Sequence, residues 1–171
     1  MTAKGHVLLA LPPSIIWAQT LGLSGIEAGA LIAAVAAGSL FPDVDEPNSF
    51  IGRRLMFMSW TIKILSLFFP TFRHRGVTHI FLVPLSIILI GSAFENILVA
   101  AFGLGWLMHT VGDLITVGGV RGYFYPLWPD QKIVLLPDGF RFYTNGFIEH
   151  FFNTFLLLIN GYLMASFQGL I

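Results

Sequence analysis

Cysteine is absent from the 171 residues, and charge is scarce, with 11% of positions Asp, Glu, Lys or Arg. Without a thiol there is no disulfide, thiolate ligand or Cys nucleophile, so any metal must be held by His and carboxylate. Nine basic residues balance nine acidic ones, giving a formal net charge of zero and no basic excess for a nucleic-acid partner. A Gly-rich phosphate loop, a dinucleotide fingerprint and a G-x-S-x-G elbow are also missing. What abounds is apolar side chains, 56% of the chain, with a mean hydropathy of +0.79. Soluble domains average roughly 45–50% apolar and about 25% charged, so this is the composition of a membrane protein. Lipid offers backbone groups no partners, which points to a single all-α bundle over residues 1–171.

Apolar runs stand at Val7–Leu21, Ile26–Phe41, Ile80–Phe94, Ile97–Ile115 and Phe147–Phe167, which predicts a five-helix bundle. A span needs about 20 residues and at least about 17, so the first and third are short. Gly22-Leu23-Ser24-Gly25 and Glu95-Asn96 read as hairpin tips, making helices 1 and 2, and 3 and 4, antiparallel pairs. Pro12-Pro13 and Pro84 should kink helices 1 and 3. The stretch 54–70 carries Ser59, Lys63 and Ser66 on one narrow stripe, an amphipathic pattern. Spanning there would bury Lys63 at a cost of roughly 3 kcal/mol, so an interfacial helix is expected. Ile133–Leu136, Pro137-Asp138-Gly139 and Phe140–Tyr143 read as a small β-hairpin outside the membrane. Lys4 ahead of an apolar run is the pattern of a signal peptide, but Pro12-Pro13 interrupts the run, and the segment is read as helix 1.

This topology puts all nine basic residues, Lys4, Arg53, Arg54, Lys63, Arg73, Arg75, Arg121, Lys132 and Arg141, on one side. Cytoplasmic loops carry the Lys and Arg excess, so that side is expected to face the cytoplasm of a multi-pass membrane protein. The same end gathers His6, Asp43, Asp45, His74, His79, His109 and Asp113. His109 and Asp113 are four apart and share a helix face. His79 is expected in a first helical turn with Thr78 as N-cap, and His74 in a loop folding back. Pro42 and Pro47 stop helix 2 and aim Asp43 and Asp45 in different directions. Taken singly, each His is a solvated end and each Asp a turn former, but ionisable groups clustered at membrane depth mark function. His150, beside Glu149, reads as interfacial. Arg53, Arg54, Arg73 and Arg75 suit anionic headgroups or a phosphate clamp.

Gly5-His6, Leu40-Phe41-Pro42-Asp43-Val44-Asp45-Glu46-Pro47, His74-Arg75-Gly76-Val77-Thr78-His79, His109-Thr110-Val111-Gly112-Asp113 and Trp128-Pro129, in this order, resemble the YdjM family of bacterial inner-membrane, metal-dependent hydrolases over roughly residues 1–130. Ile80 departs from it, since the family often carries Ser after the second His. More distantly, the order is similar to the zinc-dependent phospholipase C and single-strand nuclease superfamily. That likeness implies His6, His79, His109 and Asp113 as metal ligands, with Asp43 or Asp45 a ligand or the base that orients water.

Seven groups exceed the four ligands of one zinc, so two metals about 3.5–4 Å apart, or one metal plus a general base, are the natural use of them. The ligand set is His6, Asp43, His79, His109 and Asp113, with Asp45, His74 and Arg75 assigned to catalysis. Asp43 is preferred over Asp45 as ligand because it directly follows Pro42. Zinc is favoured, with Mn or Fe as alternatives. The expected substrate is a lipid phosphoester in the bilayer, or a small phosphoester. Two rivals are an ion or metal transporter using the same cluster and a nonenzymatic scaffold held by metal.

Overall fold

The computed structural model describes residues 1–69 and 74–171. Its helices are α1 (Ala3–Thr20), α2 (Gly25–Gly38), α3 (Met56–Phe68), α4 (Leu82–Ala93), α5 (Ile97–Leu114) and α6 (Phe147–Phe167). The five expected bundle helices and the separate amphipathic one are all present. Arg73 and Pro70, the end of the stretch read as interfacial, lie outside the described residues.

α5 is the centre, packed on α2, α4 and α1, while α1 also packs on α2 and α6. Close approach depends on residues without side chains. A Cβ on Gly38 would run into the Phe102 carbonyl, and one on Gly105 into that of Val35. Where lipid removes the hydrophobic drive between helices, such contact is what holds them. The buried seam is small and aliphatic, with Ala10, Ala18, Ala28, Leu31, Val35 and Ala101. Large side chains such as Phe94, Phe151, Leu158 and Tyr162 are exposed, the inverse of a soluble protein.

Among the described residues two helices are long and apolar enough to cross a membrane, 25–45 and 97–114. α4, with 12 residues, is only about 18 Å long, short of a hydrocarbon core of about 30 Å. α3, with 13, is also too short. α3 packs on a 3₁₀ turn at Phe41–Asp45, turning Ser59 inward and bringing Lys63 Nζ to 3.9 Å from Glu46 Oε2. Phe57, Trp60, Ile64, Leu67 and Phe68 are left exposed on it.

The two prolines in α1 lie inside the helix, and Pro12 deprives the Leu8 carbonyl of its usual donor. Asn160 Nδ2 of α6 supplies one at 3.0 Å. Pro84 is different. It stands in the first turn of α4, where the missing N–H is one of the orphans of any helix start, so the expected reason for a kink disappears.

Two local expectations are corrected. The hairpin is not at 133–143: β1 (Val120–Arg121) pairs antiparallel with β2 (Lys132–Ile133), and Asp138–Phe140 is a 3₁₀ turn. The 133–143 stretch spends its backbone on the end of α5, with Leu135 N donating to Leu114 O at 2.9 Å and Phe142 O accepting from Val117 N at 3.1 Å. Orphan carbonyls at the helix end outcompete a local turn. Thr78 is not an N-cap either, because α4 starts after Phe81 and the 3₁₀ turn Val77–His79 lies before it.

Candidate metal centre

The first turn of α1, the 3₁₀ turn after α2, the 74–79 loop and the last turns of α5 meet at one end of the bundle. His79 Nε2 stands 3.2 Å from His109 Nε2. Asp113 Oδ2 is 3.5 Å from the first and 3.9 Å from the second. Asp43 Oδ1 is 4.0 Å from His79 Nε2 and 3.5 Å from His109 Nε2. His6 stacks on His109, ring centroids 3.7 Å apart, with its Nε2 3.6 Å from Asp113 Oδ1. All five expected ligands therefore converge. Three overlapping sets could hold an ion: His6, Asp43 and His109; His79, His109 and Asp113; Asp43, Asp45 and His74.

Hydrogen bonding fixes which nitrogen of the His79 and His109 rings carries the proton. His109 Nδ1 lies 2.7 Å from the Ser39 carbonyl, which only accepts, so Nδ1 is the donor and Nε2 keeps a lone pair. Thr78 Oγ1 donates its one proton to Asp45 Oδ2 at 2.7 Å, so it accepts from His79 Nδ1 at 2.8 Å. His79 Nε2 thus carries a lone pair too. Burial, which penalises the charged ring, holds the His79 pKa below its ordinary value despite the nearby Asp113 and Asp45 carboxylates. Thr78 supplies the ring bond that Ile80 in place of Ser left open; Trp106 Nε1 steadies this turn by donating to Thr78 O at 2.6 Å.

Asp45 is buried and fully used, accepting from His74 Nδ1 (2.7 Å), Arg75 N (3.1 Å) and Thr78 Oγ1 (2.7 Å). It pins the 74–79 loop to the 3₁₀ turn. The two carboxylates do point apart, Asp43 to the His79 and His109 rings and Asp45 to the loop. His74 is only partly covered, its side chain 39% exposed. Burial lowers its pKa, but the Asp45 hydrogen bond and charge outweigh that and raise it above the ordinary value. Arg75 sits at φ +61°, a conformation unusual for a side-chain-bearing residue. Its Nη2 donates to Asp113 Oδ1 at 2.9 Å and its Nη1 to Gly119 O at 3.0 Å, while Nε is buried without a partner. The Met1 amine shares Asp113 Oδ1 at 2.7 Å, leaving Oδ2 to His79 and His109.

Sequence reasoning missed Glu149. It is fully buried at the start of α6 and accepts from Thr2 N and Thr2 Oγ1, both at 2.7 Å, and from Asn145 N. Thr2 caps α1, so Glu149 sets where α1 begins and hence where His6 falls. A Cβ on Gly5 would press on Glu149 Oε1 at 2.8 Å, which explains the glycine beside His6. The available signal was Glu149, Asn153 and Asn160 recurring on one face of an apolar run. His150 is exposed, outside the cluster.

The chain is 27% identical over 154 residues to "Inner membrane protein YdjM" of Escherichia coli (strain K12), covering 81% of this chain and 72% of that one. The protein of the same name from Shigella flexneri matches equally, at 27% identity over 154 residues. "Uncharacterized protein YvsG" of Bacillus subtilis (strain 168) is 29% identical over 168 residues, covering 97% and 92% of the two chains. No solved structure matches. The description "YdjM inner membrane protein" matches residues 1–168, beyond the 1–130 that carried the motifs and far enough to include β1, β2 and α6. The chain belongs to the YdjM inner membrane protein family.

Proposed function

We propose that this protein is a metal-dependent hydrolase, embedded in the inner membrane by several helices, that cleaves a lipid phosphoester at the cytoplasmic surface. One observation carries the reading. Two imidazole lone pairs, on His79 and His109, face each other at 3.2 Å with carboxylate oxygens of Asp43 and Asp113 beside them. Two lone pairs at that distance repel unless an electrophile lies between them. Ligands held about 2.0–2.1 Å from a tetrahedral ion are themselves roughly 3.4 Å apart, so the donor spacing fits. His79 and His109 each have their other nitrogen bonded to a fixed acceptor, the arrangement that orients metal ligands. Mixed nitrogen and carboxylate donors favour zinc, with Mn or Fe as alternatives, and His6 extends the set toward a second ion.

A bound zinc there supplies Lewis acidity and an acidified water. The remaining work falls to the chain. His74, held through Nδ1 by Asp45, keeps Nε2 free to move a proton at the reacting ester. Asp45 acts through His74 and the loop, because its oxygens are already engaged. Arg75 offers guanidinium charge to a developing phosphoryl oxyanion next to Asp113. The cytoplasmic orientation rests on the basic residues, and α3 lies in the headgroup layer with its aromatic face toward lipid. A transport pathway is less well supported: among the described residues the buried ionisable groups His6, Asp45, His79, His109, Asp113 and Glu149 all sit at this end. Purified protein in lipid nanodiscs should release phosphate or a headgroup from a phospholipid, and a chelator should stop it. Absence of turnover across a panel of lipid phosphoesters in zinc-replete protein would remove the substrate class.

A further inference from the structure

Next to the cluster lies an open cavity of about 680 Å³ between the 74–76 loop and the β1–β2 hairpin. Its size falls in the range that accepts a small organic ligand, about 300–1,000 Å³. Arg75, Arg121 and Lys132 line it against one acid, Asp130. Arg75 is matched by Asp113, and Lys132 Nζ donates to the Val117 carbonyl at 2.8 Å. Arg121 is exposed, and its side chain has no hydrogen bond or ion pair among the described residues.

The strand register adds a second observation. Arg121 and Lys132 are direct cross-strand partners in the two-residue ladder, so their side chains share one face. Like charges directly opposite destabilise a strand pair, and an anion between them turns the repulsion into attraction. The floor is bare backbone: a Cβ on Gly118 would run into Arg75 Nη1, and Gly119, at φ +57°, likewise carries none. His74 and Arg75 belong to both the cavity and the cluster.

We propose that this cavity is a headgroup subsite, in which Arg121 and Lys132 bind an anionic group of the substrate beyond the ester that lies over the histidines. The inference rests on the hydrolase reading and narrows it: the substrate is an ester whose headgroup carries a further phosphate or carboxylate. Arg121 and Lys132 select it; neither touches the cluster.

The test is calorimetric titration of the full chain in detergent, as purified and again after chelation. The probes are glycerophosphoserine and short-chain phosphatidylserine, whose headgroup carries a carboxylate beyond the phosphodiester, and short-chain phosphatidylcholine, which carries none. Arg121→Gln should weaken binding of an anionic probe about tenfold, the scale of one charge-assisted hydrogen bond, with metal content unchanged. Lys132→Gln should act in the same direction, Arg121→Lys should recover part of the affinity, and Lys4→Gln, at an exposed lysine that does not line the cavity, should have no effect. Arg121 dependence with glycerophosphoserine assigns the subsite to a soluble ester, and dependence only with phosphatidylserine assigns it to a lipid headgroup. Equal affinity of parent, Arg121→Gln and Lys132→Gln for both anionic probes overturns the proposal, as does equal loss in Lys4→Gln. Arg121-dependent binding in a protein without turnover keeps the subsite and removes the hydrolase; turnover with no Arg121 effect does the reverse.

Discussion

Thr78 has one hydroxyl proton, and its destination decides the protonation of His79. Because Asp45 takes it, His79 donates from Nδ1 and presents Nε2 to His109. Thr78→Val removes both bonds while keeping the volume, and partners of this kind are worth about 10–100-fold in metal affinity. Chelator competition should show a loss of at least about tenfold in a folded protein; unchanged affinity would mean that Thr78 does not orient the ring. The His and Asp residues were legible in the sequence because ionisable groups in an apolar chain stand out and helix order sorted them to one end. The Ser39 carbonyl and the direction of the Thr78 proton were not, since a backbone oxygen has no sequence signature and Thr78 also reads as a cap. Glu149 was readable and was missed because Thr2, the partner that ties it to α1, is 147 residues away in the sequence.

At the scale of elements, α1 and α6 show how a membrane helix tolerates two prolines. Asn160 donates to the carbonyl that Pro12 strands, and both groups are buried. Asn160→Leu leaves Leu8 O without that donor and should cost about 1 kcal/mol. Unfolding in mixed micelles measures it, with metal content unchanged; a more stable variant would contradict the repair. Hydrophobic run lengths located the helices, since burial in lipid leaves little else to specify. The hairpin was misplaced for the converse reason. Asp138-Gly139 is a strong short-range turn signal, whereas the pairing of Val120 with Ile133 depends on where the end of α5 offers carbonyls.

For the whole molecule, the proposed function puts the chemistry at one end of the bundle and leaves the other to turn the chain. If that end faces the cytoplasm, a Cys at Glu95 should react with an impermeant reagent from outside intact cells and one at Ser49 should not. The reverse labelling would overturn the orientation. The claim on which the rest depends is that the facing nitrogens of His79 and His109 hold a metal ion. Elemental analysis of the purified chain beside His109→Ala and Asp113→Asn tests it most directly. The account predicts about one or two equivalents of zinc, or of Mn or Fe, in the parent and at least a tenfold loss in each folded variant; a metal-free parent, or variants with the parent's full content, would contradict it.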